Sequence, residues 1–262
     1  MRDLASKYIV IEGPIGVGKT SLSNKLALEW DADLILENVD DNPFLSKFYK
    51  NQREVSFQTQ LYFLLTRTRQ VQSFKQQDIF SKTRISDFML QKDRLFAQVT
   101  LSNEEYDLYD QLYSYMTVDI PKPDLLIYLQ APVNTLNKRI KKRGRHFEKF
   151  ITSEYLENLN STYLKFFNSY EGSPLLIVNA EDIDFVNNEI DYKNLLNKIY
   201  SIESGRHYFN PLARQHTLLK LWYEIQIDNG ACSAIEHGSL MLRGTKVNYN
   251  DQTVIDPNFR TV

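Results

Sequence analysis

Eight residues from Gly13 to Thr20 read Gly-Pro-Ile-Gly-Val-Gly-Lys-Thr and follow directly on the apolar run from Tyr8 to Ile11. Glycines at these positions let successive backbone N–H groups turn inward and meet phosphate oxygens at a helix N-terminus. Lys19 supplies a positive charge for the outer phosphates, and the Thr20 hydroxyl is the usual Mg²⁺ ligand of the G-x-x-x-x-G-K-S/T pattern. The glycines of this phosphate loop are Gly13, Gly16 and Gly18. The motif predicts phosphoryl chemistry on a nucleotide.

The residues after Thr20 support this interpretation. Leu22, Leu26 and Ala27 recur at helical spacing, so that strand, loop and helix follow in the order that the motif requires. An ordinary glycine turn between two core elements is the alternative, and it would not explain the complete pattern in this context.

Two carboxylates are expected beside the phosphate loop. Glu37 follows the apolar run from Leu34 to Leu36, and the carboxyl end of a parallel strand lies at the crevice of the sheet. A hydroxyl acceptor benefits from a carboxylate that orients it and takes its proton, whereas a phosphate acceptor would favour arginine. Asp87 follows a third run, Arg84 to Ser86, and could reach Mg²⁺ directly or through water. The pattern favours an alcohol acceptor, with a solvated strand-end glutamate as the alternative.

Six of the eight residues from Lys138 to Arg145 are basic, and Gly144 interrupts the run. Such runs are usually solvated helix faces or polyanion-binding patches. In a chain with a phosphate loop and a formal net charge of −2, a lid that folds its arginines over the transferring phosphoryl group explains the run better. The predicted lid arginines are Arg139, Arg143 and Arg145.

Short apolar runs alternate with segments of helical periodicity, which predicts an α/β fold with a five-stranded parallel sheet flanked by helices. The predicted strands are Tyr8 to Ile11, Leu34 to Leu36, Arg84 to Ser86, Leu125 to Leu129 and Leu175 to Val178. The predicted helices after the first are Val55 to Phe74, Glu104 to Met116, Asn134 to Lys142, Ser153 to Ser169 and Asn188 to Ile202. We expect one catalytic domain over residues 1–211.

Residues 212–262 are expected to form a C-terminal extension, to which the sequence assigns no function. Leu218, Leu219, Trp222 and Ile225 could form one apolar helical stripe, which is more often a core or subunit contact than a ligand site. His216 and His237 are expected to be surface or packed residues.

Composition limits the partners and the setting. Basic and acidic residues nearly balance, so the chain has no broad electrostatic attraction to nucleic acid or to an anionic membrane. Cys232 is the only cysteine, which excludes an intramolecular disulfide and favours a reducing compartment. No apolar run is long enough to span a bilayer, and the sequence leaves no room for a removable signal before the first strand. We therefore expect a soluble, cytoplasmic protein.

The chain resembles the deoxyribonucleoside kinases, the family that contains deoxycytidine, deoxyguanosine and bacterial deoxyadenosine kinases. The resemblance is carried by the phosphate loop, Glu37 with Asn42 to Leu45, Phe48 with Tyr49, Gln60 with Arg67, Asp93 to Ala97, and Arg143 to Arg145 with Glu148. It implies a P-loop kinase fold with an arginine-rich lid, ATP and Mg²⁺ as cofactors, and a homodimer.

The resemblance also implies roles for single residues. Glu37 is implied as the base for the 5′-hydroxyl, and Tyr49 and Glu148 as contacts of the 3′-hydroxyl. Gln60, whose amide offers donors and an acceptor, is implied to read the base edge together with Arg67 and Asp93. Phe96 resembles the ring that stacks on the base. Asp184 and Phe185 resemble the loop that contacts the donor adenine.

One position departs from the family pattern. The family commonly has an acidic residue, an arginine and a serine after the third strand, whereas Asp87 is followed here by Phe88 and Met89. If the arginine normally steadies Glu37, then Arg94 or a lid arginine must replace it, or turnover is weak, or the acceptor is altered.

Together these features predict ATP-dependent 5′-phosphorylation of a deoxyribonucleoside in nucleotide salvage. Resemblance to the bacterial branch favours a purine, deoxyadenosine or deoxyguanosine, with deoxycytidine as a further option. The alternatives are a nucleoside monophosphate kinase, which shares the loop, sheet and lid, and a non-catalytic nucleotide-sensing module.

Overall fold

The computed structural model describes residues 7–76, 82–117 and 120–210, together with strands at 232–236, 239–242 and 245–248. The chain divides into two compact units, Met1–Phe209 and Asn210–Val262. Among the described residues, none of the helices combines the length and the apolar character that crossing a bilayer requires.

The first unit contains a six-stranded parallel sheet rather than the five-stranded one that the sequence predicts. Its strands are β1 Tyr8–Glu12, β2 Asp33–Ile35, β3 Arg84–Ser86, β4 Leu125–Gln130, β5 Leu175–Asn179 and β6 Arg206–Phe209. They lie in the order β2-β3-β1-β4-β5-β6. The unpredicted strand, β6, alternates between exposed and half-buried residues and contains no apolar run, so the pattern that identified the others could not find it.

The helices cover both faces of this sheet. They are α1 Lys19–Glu29, α2 Leu45–Lys50, α3 Gln52–Gln76, α4 Gln91–Thr100, α5 Asn103–Met116, α6 Val133–Arg143, α7 Ser153–Asn168 and α8 Glu189–Tyr200. Short 3₁₀ turns lie at Val39–Asp41 and Glu148–Phe150. The predicted long helix is present as α3, with non-helical backbone at Val55 near its start. Helices α2 and α4 were not predicted.

Alternate residues of the central strands face opposite layers of the core, as the two-residue period of a strand requires. Ile9 and Ile11 of β1 pack in the layer that contains α1, α6 and α8, whereas Val10 packs in the layer that contains α2, α4 and α7. Both faces of β1 are therefore buried, which explains why it reads as a continuous apolar run.

Strand register brings the sequence motifs to one edge of the sheet. Strand β1 lies between β3 and β4, with Val10 opposite Ser86 and Glu12 opposite Tyr128. Strand β2 pairs with β3, with Ile35 opposite Ser86. The loops that follow β1, β2 and β3 therefore leave the sheet side by side at the carboxyl ends of the strands.

The second unit contains an antiparallel sheet in the order β7-β8-β9. These strands are β7 Cys232–Glu236, β8 Ser239–Leu242 and β9 Thr245–Asn248. The predicted stripe of Leu218, Leu219, Trp222 and Ile225, and both His216 and His237, lie outside the described residues.

Candidate active site

The phosphate loop joins β1 to α1, and its conformation requires glycine. Gly16 and Gly18 have φ angles of +82° and +110°, which L side chains rarely adopt. A Cβ on Gly13 would lie 2.5 Å from the carbonyl oxygen of Leu129, and one on Gly16 would lie 2.7 Å from Cγ1 of Ile140. The loop is thus closed against the backbone of β4 and the side of α6.

Lys19 begins α1 and folds back over the loop. Its Nζ donates to the carbonyl oxygens of Gly13 at 2.8 Å and Pro14 at 3.2 Å. Burial, together with the nearby positive charge of Lys92, lowers the pKa of the Lys19 ammonium to about 8. An anion beside Lys19 would relieve both effects, which suits a phosphate-binding group.

Asp87 connects the phosphate loop to the end of β2. The Thr20 hydroxyl donates to Oδ2 of Asp87 at 2.6 Å, and the backbone N–H of Glu37 donates to Oδ1 at 2.8 Å. A hydroxyl and a carboxylate are the hard oxygen donors that Mg²⁺ prefers, so this pair fits the ion. Within the described ranges no cluster of three or more His, Cys, Asp or Glu could hold a metal. A Mg²⁺ bound by one carboxylate and nucleotide phosphates needs no such cluster.

Two cations hold the carboxylate of Glu37. Its Oε1 accepts from the Arg67 guanidinium, and its Oε2 accepts from Nζ of Lys92 at 2.7 Å. Burial raises the pKa of the Glu37 carboxyl, but the charges of Arg67 and Lys92 outweigh burial and hold that pKa well below its usual range. Glu37 is therefore ionised at neutral pH.

Arg67 also pairs with Asp93, a fully buried residue, and its guanidinium lies 4.5 Å from the centre of the Phe63 ring. Gln60 lies on the same helix, where its Nε2 donates to the Thr100 hydroxyl at 3.2 Å. Its amide oxygen is buried and has no hydrogen-bond partner among the described residues. Of these side chains, Arg67 lines the cavity described next.

A cavity of about 320 Å³ lies beside Arg67 and the phosphate loop. Its lining includes Gly16, Lys19, Thr20, Glu37, Tyr49, Arg67, Asp87, Phe96, Arg143, Arg145 and Glu148 from the sequence-predicted site, and also Lys92 and Phe147. Two other predicted residues, Gln60 and Asp93, are not part of the lining. The structure therefore gathers most of the predicted acceptor residues around one space, which we call the acceptor cavity.

A second cavity of about 690 Å³, which we call the donor cavity, lies between the phosphate loop and the loop at Glu181 to Asn187. Its lining includes Gly18, Arg139, Asp184 and Phe185. Gly16, Lys19, Thr20, Arg143 and Arg145 line both cavities. The two spaces thus meet at the phosphate loop and at the predicted lid.

The three predicted lid arginines have different partners. Arg139 donates to the carbonyl oxygens of Val17 at 3.1 Å and Ala180 at 2.7 Å, so it supports the phosphate loop and the turn after β5. Arg143 makes two bonds to the buried Glu148 carboxylate, at 3.1 and 2.5 Å. The Arg145 guanidinium lies 3.7 Å from Oδ2 of Asp40 and 3.9 Å from Oε1 of Glu148. Gly144, with φ +72°, ends α6 between these two arginines.

Aromatic rings form the remaining walls. Tyr49 and Phe147 are nearly parallel, with ring centres 6.2 Å apart, and the Phe96 ring meets Tyr163 edge-on. In the donor cavity, Phe185 is buried behind Gly18, where an added Cβ would lie 3.1 Å from its ring. The Asp184 carboxylate accepts from the backbone N–H of Val186 and Asn187 and so closes its own loop.

Comparison with known proteins agrees with this geometry. A sequence profile of a family described as deoxynucleoside kinase matches residues 9–203. The chain belongs to this family. It is therefore a phosphotransferase that phosphorylates deoxynucleosides in salvage, with a nucleoside triphosphate as the phosphate donor.

Two named relatives and one solved structure each cover about three quarters of this chain. It is 40% identical to the deoxyguanosine kinase of Bacillus subtilis over 195 residues, which are 72% of this chain and 93% of the relative. It is 35% identical to the deoxyadenosine kinase of Lactobacillus acidophilus over 207 residues, 74% and 94% of the two chains. The structure of deoxyadenosine kinase from M. mycoides with bound dATP superposes with a TM-score of 0.66 at 28% identity, covering 74% and 100%.

The cation that contacts Glu37 from α4 is not the one that the sequence predicts. Arg94 was one candidate to replace the arginine missing after Asp87, but it lies outside the acceptor cavity and pairs with Asp110 at 2.6 Å. Lys92, to which the sequence assigns no role, contacts Glu37 instead. No motif marks Lys92, since its position depends on where α4 begins after the turn at Asp87.

Proposed function

We propose that this chain transfers the terminal phosphoryl group of ATP, in the presence of Mg²⁺, to the 5′-hydroxyl of a purine deoxyribonucleoside. One observation carries the proposal: an ionised carboxylate, Glu37, and the phosphate-loop Lys19 line the same cavity, and that cavity meets a second one at the loop. An acceptor hydroxyl and a donor phosphate could approach each other there.

The position of Glu37 in the acceptor cavity favours an alcohol over a phosphate as acceptor. Arg67 is already paired with both Glu37 and Asp93, so its charge is neutralised within the site. A monophosphate entering the cavity would meet the Glu37 carboxylate, whereas a hydroxyl could donate to it. This argues against a nucleoside monophosphate kinase.

In the proposed reaction the 5′-oxygen forms a bond to the γ-phosphorus while the bond from that phosphorus to the β,γ-bridging oxygen breaks. Glu37 accepts the proton of the 5′-hydroxyl, and ADP leaves with the electron pair of the broken bond. Lys19, Arg143 and Arg145 lie where they could neutralise charge on the transferring group and on the leaving oxygen. Mg²⁺, which Thr20 and Asp87 would hold, supplies positive charge to the phosphates when bound.

For the nucleoside, we propose that Tyr49 and Glu148 bind the 3′-hydroxyl and that Phe96 stacks on the base. Gln60, Arg67 and Asp93 would select the base, since Arg67 lines the cavity and the buried amide oxygen of Gln60 has no hydrogen-bond donor among the described residues. Deoxyguanosine is the first substrate to test, because the relative of 40% identity is named a deoxyguanosine kinase.

For the donor, we propose that the loop at Asp184 and Phe185 contacts the adenine and that Arg139 holds this loop against the phosphate loop. We further propose a cytoplasmic homodimer. Family resemblance supports the dimer, and the single cysteine and the salvage role support the compartment. Light scattering on the purified protein would measure the assembly directly.

The function is tested with γ-³²P-ATP and a panel of the four common deoxynucleosides and their 5′-monophosphates. We expect label to appear on the 5′-position of a purine deoxynucleoside, dependent on Mg²⁺. Label on monophosphates alone would replace the proposal with a monophosphate kinase. Nucleotide binding without transfer to any compound in the panel would favour a nucleotide-sensing module.

A further inference from the structure

The segment after β3 leaves no charge where the family commonly has an arginine. Phe88, the residue after Asp87, is fully buried in the core, and Met89 is 3% exposed. The Met89 backbone N–H donates to the buried Glu12 carboxylate at 3.0 Å, which fixes this turn. Neither residue therefore supplies a positive charge to Glu37.

Helix α4, the next element, places the positive charge of Lys92 beside Glu37. Lys92 lies in the first turn of α4, and although it is 2% exposed, it lines the acceptor cavity. The Nζ–Oε2 distance to Glu37 is 2.7 Å, and the Phe88 ring lies 5.8 Å from the same nitrogen. Lysine is almost never so deeply buried unless it is paired, so this contact accounts for its burial.

Each cation at Glu37 takes one oxygen of the carboxylate. Arg67 bonds to Oε1 and Lys92 to Oε2, whereas a carboxylate offers about four acceptor positions in all. Positions therefore remain for the proton of a substrate hydroxyl. Together the two contacts restrict the rotation of the carboxylate more than either contact would alone.

Lys92 also balances the charge of the buried ionic group. The buried group contains two carboxylates, Glu37 and Asp93, and two cations, Arg67 and Lys92. Without Lys92 this group would carry a net negative charge close to the phosphate loop, where the terminal phosphate of the donor has to bind. Arg67 could not compensate, because it is shared between both carboxylates.

We propose that Lys92 is the positioning residue of Glu37, holding its carboxylate toward the acceptor hydroxyl in place of the missing arginine. The inference rests on the proposed role of Glu37 as the base. Lys92 acts through Glu37, and its effect on turnover should vanish when Glu37 can no longer accept a proton.

The test compares Lys92→Met, Lys92→Arg, Glu37→Gln and the double variant K92M/E37Q in steady-state assays with ATP and the best deoxynucleoside. We expect K92M to lower kcat by about 100-fold, the lower range for loss of general base catalysis, with KM for the nucleoside changed less than about threefold. Lys92→Arg keeps the charge and should recover kcat to within about tenfold of the wild type. The double variant should be no more than about threefold slower than E37Q alone.

Arg94→Met is the matched control, because Arg94 is a neighbouring cation of the same helix whose partner, Asp110, lies outside both cavities. Its kcat should stay within about threefold of the wild type. Unchanged kcat in K92M would overturn the inference, as would independent, multiplying losses in the double variant.

Thermal melting of each variant guards against misfolding. If K92M does not fold, Lys92→Gln replaces it, and failure of both neutral variants would make Lys92 a structural residue and overturn the inference. A wild type that phosphorylates no deoxynucleoside would instead refute the proposed function, and the inference with it. An active wild type whose kcat is unchanged in the neutral Lys92 variants would refute the inference alone.

Discussion

Among the single residues, Glu37 combines two properties that are seldom found together. It is nearly buried, yet it is ionised, because Arg67 and Lys92 supply opposite charge on both of its oxygens. A base held in this way is weak in the resting state. Its usefulness comes from its fixed position and from the phosphate-binding groups that take up charge as transfer proceeds.

Replacing Glu37 by glutamine should lower kcat by about 100-fold or more, since an amide cannot accept the hydroxyl proton. The Kd for ATP should stay within about threefold of the wild type, because Glu37 does not line the donor cavity. Turnover assays and nucleotide titration measure the two quantities. Glu54→Gln, which neutralises an exposed carboxylate paired with Lys47, is the control and should leave both unchanged. Equal turnover in the wild type and the Glu37 variant would contradict the assignment.

The pKa of Lys19, about 8 in the free protein, predicts pH-dependent nucleotide binding. A phosphate binds the ammonium form, so affinity should be constant below that pKa and fall as pH rises through it, by at most about tenfold per unit. Calorimetric titration with ADP in EDTA, from pH 6.5 to 9.5, would measure this without a contribution from Mg²⁺. A flat profile over that range would show that Lys19 keeps its proton.

At the scale of elements, the tight contact between the phosphate loop and β4 predicts a severe effect of a single methyl group. In Gly13→Ala the new Cβ would meet the Leu129 carbonyl oxygen at 2.5 Å, which only a backbone shift can relieve. We expect a loss of about 2–4 kcal/mol in the free energy of unfolding and nucleotide binding weakened by tenfold or more.

The control for this substitution is Gly205→Ala. Gly205 also has a positive φ, +74°, but a Cβ there would meet no atom within 4 Å. Its cost should be limited to about 1 kcal/mol of backbone strain, with nucleotide binding unchanged. Urea unfolding and fluorescence titration compare the two variants, and equal destabilisation would mean that strain, not the contact with β4, dominates at Gly13.

Strands that are buried on both faces appear in the sequence as continuous apolar runs and could be predicted, whereas a half-exposed strand could not. Strands β1 and β4 are buried on both faces, so their apolar runs are evident. Strand β6 lies at the edge of the sheet and carries exposed Arg206 and Tyr208, which conceals it. The contact between Lys92 and Glu37 could not be predicted for a different reason. It depends on the turn before α4 and not on the spacing of residues within a motif.

For the whole molecule, the distribution of the site along the chain predicts the effect of truncation. The lining residues of the two cavities that belong to the described part of the chain fall between Ile15 and Asn187, within the unit Met1–Phe209. A chain that ends at Asn210 should therefore fold and keep kcat within about threefold of the full protein.

A second truncation, before α8, provides the contrast. It removes Leu195, Leu196 and Ile199, which are buried against the sheet, and should abolish the cooperative melting transition. Calorimetry and the phosphate-transfer assay measure both truncated chains. Loss of activity in the longer one would show that residues 211–262 contribute to the reaction.

The shared wall of the two cavities limits how the enzyme could be redesigned. Gly16, Lys19, Thr20, Arg143 and Arg145 face both spaces, so no change at these positions can be confined to one substrate. Substitutions meant to change the triphosphate donor belong at Asp184, and those meant to admit unnatural nucleosides belong at Phe96. Each of these residues lines only one of the two cavities.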